Sequence, residues 1–241
     1  MDLKTKENKP CCKIQFSDDK SIVFYVPNGP CLFRASTIKT KEPWTLEWID
    51  TFDPSDILWD VGANIGVFTL YASVIKGIKV FAFEPEAANY RVLNENIRIN
   101  RVYDKVRAYC VALSNQSKFG DLKLSVIETA SSNHQLFNMR NPAFVQGCVS
   151  YTLDDLSISL GTPNHLKIDV DGIEQLVLDG GVNKVLPNVK SIVVEICDRL
   201  DDRSNIKNYL VEQGFTWHSD FAKRSTRSID KFTIAEHLFT R

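Results

Sequence analysis

The sequence predicts an α/β fold: a central, mostly parallel sheet with helices on both faces and some antiparallel additions. Three observations carry this. Ile57-Leu58-Trp59-Asp60-Val61-Gly62-Ala63-Asn64-Ile65-Gly66 passes from an apolar strand through a glycine turn into a helical pattern, and Glu84 closes the next apolar run. Strand-like and helix-like segments alternate from residue 57 to 111 and again from 166 to 213, the rhythm of βα units. A chain of 241 residues with 44% hydrophobic content can bury one sizeable α/β core, and a second independent domain is not expected.

Residues 1 to about 10 are polar and lysine-rich and read as a frayed tail. Ile14–Phe16 and Ile22–Val26 flank Ser17-Asp18-Asp19-Lys20, a hairpin pattern. Trp44, Trp48 and Ile49 fall at helical spacing between Pro43 and Phe52, with the proline suited to a first turn and the tryptophans to burial. These elements are expected to cap the main domain, residues 1–54 forming tail and cap and 55–241 the domain proper. Within it, Ile57–Asp60 predicts strand one, Ile65–Ile75 a helix stopped by Gly77, and Ile78–Phe83 strand two. A helix over Ala87–Ile99 and a third strand over Val106–Val111 follow. Between Leu113 and Leu156 apolar residues alternate at Leu122, Leu124 and Val126 and again at Val145 and Val149, which predicts antiparallel additions. Strand four is Leu166–Val170, then a helix Ile173–Asp179, strand five Ser191–Ile196, a helix Ile206–Gln213 ended by Gly214, and last strands at Phe232–Ile234 and His237–Thr240.

A carboxylate ending the second strand of such a unit, here Glu84, accepts hydrogen bonds from a ribose diol, so the ligand is expected to be a nucleoside. Asn64 stands where a dinucleotide fingerprint has its second glycine, which argues against close pyrophosphate approach and so against an NAD-dependent oxidoreductase. Asp60 is expected to join Glu84 in the crevice and make it acidic, suited to the sulfonium and ammonium of S-adenosylmethionine rather than to phosphates. Gly62 and Gly66 would let ligand and helix approach the turn, and Ala112 with Leu113 would wall an adenine ring. Lys167-Ile168-Asp169-Val170-Asp171-Gly172-Ile173-Glu174 gathers three more acids at the end of strand four, with Asp169 the best candidate for a functional role.

Taken in order, Asp60-Val61-Gly62-Ala63-Asn64-Ile65-Gly66, Phe83-Glu84-Pro85, Thr152-Leu153-Asp154-Asp155-Leu156 and Lys167-Ile168-Asp169-Val170-Asp171-Gly172-Ile173-Glu174 resemble the motifs of the FkbM-type methyltransferases over about residues 55–200. The resemblance implies a class I, Rossmann-like methyltransferase fold, S-adenosylmethionine as methyl donor with S-adenosylhomocysteine as product, and transfer mostly to hydroxyl oxygens of sugars, polyketides and related metabolites. Asp171 departs from the family pattern, which has glutamate there. Asp60, Gly62, Asn64, Gly66, Glu84, Ala112 and Asp169 are the candidate cofactor contacts. His134, Asp169 and Asp171 are the catalytic candidates, His134 as a base from the polar segment after residue 130.

Other classes are disfavoured. The formal net charge is −1 and no Lys/Arg run exceeds two residues, so a nucleic acid acceptor is not expected, and the Asn/Asp-Pro-Pro-aromatic segment of amino-directed enzymes is absent. No apolar run approaches a membrane span or a signal-peptide core, so a cytoplasmic protein is expected. The six cysteines form no C-x-x-C pair, which suggests neither zinc nor a disulfide framework. Asp169, Asp171 and Glu195 form a candidate Mg²⁺ set, held as an alternative to metal-free transfer. A non-catalytic nucleoside-binding scaffold is the remaining rival.

Overall fold

The structure, a computed structural model, describes residues 9–131, 141–197, 203–229 and 232–241. Most of the predicted tail lies outside these residues. The hairpin β1 (Cys11–Gln15) and β2 (Ser21–Tyr25) pairs antiparallel around the Ser17–Lys20 turn. Helix α1 (Gly29–Ser36) follows, capped by Asn28, whose side chain accepts from the Cys31 amide, with Pro30 in its first turn. Sequence reasoning passed over α1 although this cap and proline announce it. Helix α2 (Pro43–Asp50) lies where Trp44 and Trp48 placed it.

The main sheet uses β3 (Ile57–Val61), β4 (Lys79–Phe83), β5 (Val106–Tyr109), β9 (His165–Ile168) and β10 (Ser191–Cys197), all parallel in the order β10-β9-β3-β4-β5. Between β5 and β9 the chain forms a separate three-stranded sheet from β6 (Ala112–Leu113), β7 (Lys118–Leu124) and β8 (Phe144–Tyr151). The β7–β8 pair is antiparallel as predicted, but β6 joins β8 in parallel. On the far side, β13 (Phe232–Thr240) runs antiparallel to β10 as one nine-residue strand, not the two short strands predicted. Strands β11 (Thr216–His218) and β12 (Arg227–Ile229) flank β13 on its other edge.

Helix α3 (Val67–Leu70) passes into a π-helical turn over Tyr71–Ile75. Its start falls two residues later than predicted, because Asn64 (φ 51°) and Gly66 (φ 87°) hold the preceding turn in the left-handed region. Helix α4 (Ala87–Asn100) begins at Glu86, whose carboxylate accepts from the Ala88 and Asn89 amides. Helix α5 (Leu153–Leu160) was not predicted, yet Thr152 caps it by accepting from the Asp155 amide, a Thr-x-x-Asp signal legible in sequence. Helices α6 (Glu174–Asp179) and α7 (Arg203–Glu212) match their predicted positions to within three residues, and α8 (Ser219–Ser225) is additional.

Strand parity divides the core. Leu58, Val80, Ala82 and Val193 face one apolar layer, whereas Trp59, Val61, Phe81, Phe83, Leu166, Ile168, Ile192 and Val194 face the other. Burial on both faces explains why these strands read as near-continuous apolar runs. The first layer also contains Ile22, Phe24, Ala35, Trp48 and Ile49, so residues 11–50 share the sheet's core and have none of their own. Trp48 accordingly packs inside, its indole N–H donating to Ser191 Oγ at 2.8 Å.

Candidate functional site

The chain visits β3, β4 and β5 on one side of β3 and then returns to place β9 and β10 on the other, so the order reverses between β3 and β9. Open α/β sheets bind ligands at that reversal, beyond the carboxyl ends of the strands. A crevice of about 1130 Å³, open mouth included, lies there. Gly62, Glu84, Val111, Asp169 and Glu195 reach it from the ends of β3, β4, β5, β9 and β10, while Leu113 and Leu122 of the small sheet close one side.

The β3 turn is built around Glu84. One carboxylate oxygen accepts from the Asn64 amide at 2.7 Å, and the other from the Glu86 amide at 3.0 Å and Asn89 Nδ2 at 3.4 Å. Burial outweighs these bonds and raises the Glu84 pKa to about 7. A carboxyl group so poised has much to gain from added hydroxyl donors. Asn89 was missed by sequence reasoning; it also accepts from the Ala130 amide and so ties the crevice roof to α4. The Asn64 side chain donates to Ser131 O at 3.0 Å and accepts from the Ile65 amide, structural tasks that account for a bulky residue in a left-handed position.

The glycines answer to close protein contacts that the sequence reading did not name. At Gly62 a Cβ would lie 2.8 Å from the carbonyl carbon of Asp169 and nearer still to its oxygen. The backbone that first demands a glycine here is therefore the β9 turn, although Gly62 does line the crevice. Gly66 does not; a Cβ there would overlap the Leu93 Cδ1 methyl, so this glycine admits α4 against α3.

Asp60 is also displaced from its expected role. It shares strand parity with Leu58, so its side chain is directed beneath α3, 1% exposed, accepting from Thr69 Oγ1 at 2.6 Å, and it is not among the crevice-lining residues. Burial pushes its pKa up. Lys167, buried beside it, donates to Asp169 Oδ2 at 3.0 Å and lies over the Phe68 ring. Burial disfavours the Asp169 carboxylate, but Lys167, Lys41 and Arg34 prevail and hold its pKa down. Asp169 thus lines the crevice as an anion with one oxygen committed to lysine. Asp171 lines it as well, on a left-handed backbone (φ 57°) followed by Gly172 (φ 109°). Glu174 folds back to accept from the Gly172 amide at 2.9 Å and is buried, its pKa raised by that burial to about 7. Ala112 takes its predicted place in the wall.

The crevice is not simply acidic. Arg34 and Lys41, at and beyond the end of α1, and Arg227 of β12 line it too. Sequence reasoning placed none of the three here, because cations gathered from residues 34, 41 and 227 leave no local pattern. Arg227 is ion-paired with Glu42 (2.8 Å), Glu195 (2.5 Å) and Glu236 (3.0 Å). These three carboxylates, and not Asp169, Asp171 and Glu195, are the group close enough to share a cation among the described residues, and Arg227 already serves as that cation. His134 lies outside the described residues. His165 is buried between Asp56 and Ser191, His218 pairs with Thr240, and His237 accepts from Trp217, so none of these three borders the crevice. No helix of the described residues is long and apolar enough to cross a membrane.

With this geometry in view, comparison with known proteins is specific. The Methyltransferase FkbM domain family matches residues 60–217. The chain is 30% identical over 184 residues to hexuronic acid methyltransferase AglP of Haloferax volcanii, covering 76% of this chain and 74% of that protein. It is also 30% identical over 128 residues to tRNA (guanine(37)-N(1))-methyltransferase of Dictyostelium discoideum, half of this chain but 26% of that one. In fold it is similar to precorrin-6y C5,15-methyltransferase of Geobacter metallireducens, with a TM-score of 0.51 at 12% identity over 83% of this chain and 87% of that one. The fold is that of class I methyltransferases, and the chain belongs to the FkbM methyltransferase family.

Proposed function

We propose that this FkbM-family methyltransferase moves a methyl group from S-adenosylmethionine to a hydroxyl oxygen of a sugar or related small metabolite. The observation that carries the reading is Glu84: a buried carboxyl at the end of β4, held by two backbone amides and facing a crevice with apolar walls. A ribose diol supplies the donors this carboxylate lacks, and Val111, Ala112, Leu113 and Leu122 offer an apolar slot for a purine.

The cofactor supplies an activated methyl on a sulfonium. Asp169 and Asp171 border the crevice two strands from Glu84, where they accept a hydrogen bond from the acceptor hydroxyl and hold it in line. The methyl would exchange its bond to sulfur for one to the acceptor oxygen, with S-adenosylhomocysteine as the leaving group, and the hydroxyl proton would pass to a base. His134 is the histidine assigned to that task by its place in the sequence. The name of the Haloferax relative favours a sugar acceptor. The Dictyostelium match gives a nucleic acid acceptor some support, over half the chain.

Calorimetry with S-adenosylmethionine, S-adenosylhomocysteine and NAD tests the cofactor. Binding of NAD alone would refute the reading, and cofactor binding without turnover of any acceptor would favour a scaffold. A mass-spectrometric screen of sugars, glycans and a tRNA transcript for the gain of one methyl then separates the acceptors.

A further inference from the structure

Beside Asp169 a small recess opens, lined by Arg34, Thr37 and Ile38 of α1 and its end, Lys41 and Glu42 before α2, and Val67 and Phe68 of α3. Arg34, Lys41 and Asp169 line both this recess and the main crevice, so the two communicate. Of the acids bordering the recess, Asp169 is paired with Lys167 at 3.0 Å, and Glu42 shares Arg227, at 2.8 Å, with Glu195 and Glu236. Lys41 reaches the same Glu42 oxygen, at 2.8 Å, and so adds a second cation to it. Arg34 spends only Nε, donating to Ala130 O at 2.7 Å; this fixes the guanidinium while its two terminal nitrogens have no partner among the described residues. Arg34 and Lys41 thus bring two positive groups to an opening with Ile38, Val67 and Phe68 in its wall, and the Arg34 fork is left open towards it.

A fixed guanidinium fork next to an ammonium matches a carboxylate, which takes two parallel hydrogen bonds from the fork. The nearby Asp169 and Asp171 favour a single negative charge over a doubly charged phosphate. We infer that the Arg34–Lys41 recess is a carboxylate-binding subsite of the crevice. Resting on the methyl-transfer reading above, this inference admits two sources of that carboxylate: the amino-acid tail of the cofactor, or an acidic sugar acceptor.

The test compares the wild type with an Arg34→Gln/Lys41→Gln double variant by calorimetry. S-adenosylhomocysteine carries the tail; 5′-methylthioadenosine has the same nucleoside without it. A loss of about tenfold or more for S-adenosylhomocysteine, with 5′-methylthioadenosine unchanged, supports the subsite and assigns it to the cofactor. Unchanged binding of both, together with a preference for D-glucuronate over D-glucose in the S-adenosylhomocysteine-loaded wild type that the variant loses, supports it and assigns it to the acceptor. Equal losses for the two nucleosides would mean that the substitutions merely disturb the roof, and would overturn the inference. So would unchanged nucleoside binding with no discrimination between the two sugars. Failure of the wild type to bind either nucleoside would instead overturn the methyl-transfer reading.

Discussion

Replacing Glu84 with glutamine probes the crevice at its best-defined point. The substitution preserves shape but removes the charge, and it presents an amide N–H₂ to a position that receives the Asn64 and Glu86 amides. Each charge-assisted hydrogen bond to a ribose hydroxyl contributes about 1.5–3 kcal/mol, so the loss of one such bond weakens S-adenosylhomocysteine by roughly ten- to a hundredfold. The pH dependence adds an independent signature. With its pKa raised by burial to about 7, Glu84 is largely protonated in the free protein at pH 6 and must ionise to accept both hydroxyls. Affinity in the wild type is therefore expected to rise with pH and level off above about 7, with a slope approaching tenfold per unit on the acid side. The same shift has the opposite sign for stability. A carboxyl whose pKa is raised on folding stabilises the fold below its ordinary value of 4.5 and loses that contribution as pH climbs through about 7. The glutamine variant should lack both effects. Titration calorimetry from about pH 5.5 to about pH 8.5 with thermal melts in the same buffers, roughly one and a half decades of protonation either side of the shifted pKa, measures them together. A variant within twofold of wild type, or a wild-type affinity flat across that range, would refute the assignment of Glu84 to the ribose.

Three further outcomes are expected. Gly62→Val should cost several kcal/mol of stability and lower the melting temperature sharply, since its Cβ enters the Asp169 carbonyl; a well-folded variant that only lost ligand would contradict the contact. Arg227→Met should destabilise by about 3–5 kcal/mol by leaving Glu42, Glu195 and Glu236 without their shared cation, and chemical denaturation near pH 7 with partial recovery at pH 5 would show it. Asp171→Asn keeps a residue that tolerates the left-handed backbone, so it should lower turnover far more than S-adenosylhomocysteine affinity; equal effects on both would remove Asp171 from the acceptor side.

The Glu84 side of the crevice was legible because one contiguous stretch builds it. Gly62, Asn64 and Glu84 lie within 23 consecutive positions, on elements whose periodicity is plain, and the structure brings them together as expected. Asp60 shows where such reading fails: proximity to the motif suggested the crevice, but strand parity sends the side chain under α3 to Thr69. What excludes a Cβ at Gly62 and Gly66 could not be read from the turn itself, because the atoms concerned, the Asp169 carbonyl and Leu93, are remote in sequence. Arg34, Lys41 and Arg227 were invisible for a related reason. A lone arginine on a short helix has no signature until the fold has chosen its neighbours, and so an acidic crevice was expected where the structure has a mixed one.

The bond between Arg227 and Glu42 joins residues 185 positions apart, and this separation gives the protein a timetable. At about 5–20 residues per second, ribosomal synthesis needs roughly 10–40 s to reach Arg227 after Glu42 has been made. Glu42 awaits its cation throughout that interval, whereas β10, complete at Cys197, lacks the strand that covers its outer edge only for the roughly 2–9 s in which the chain is extended to the end of β13. The nascent chain therefore has the Glu84 half of its crevice in hand well before its far wall. Interactions of such long range are slow to form and leave strand edges open meanwhile. Until β13 arrives, the open flank of β10 is the edge at which a nascent chain of this architecture is most exposed to pairing with another chain.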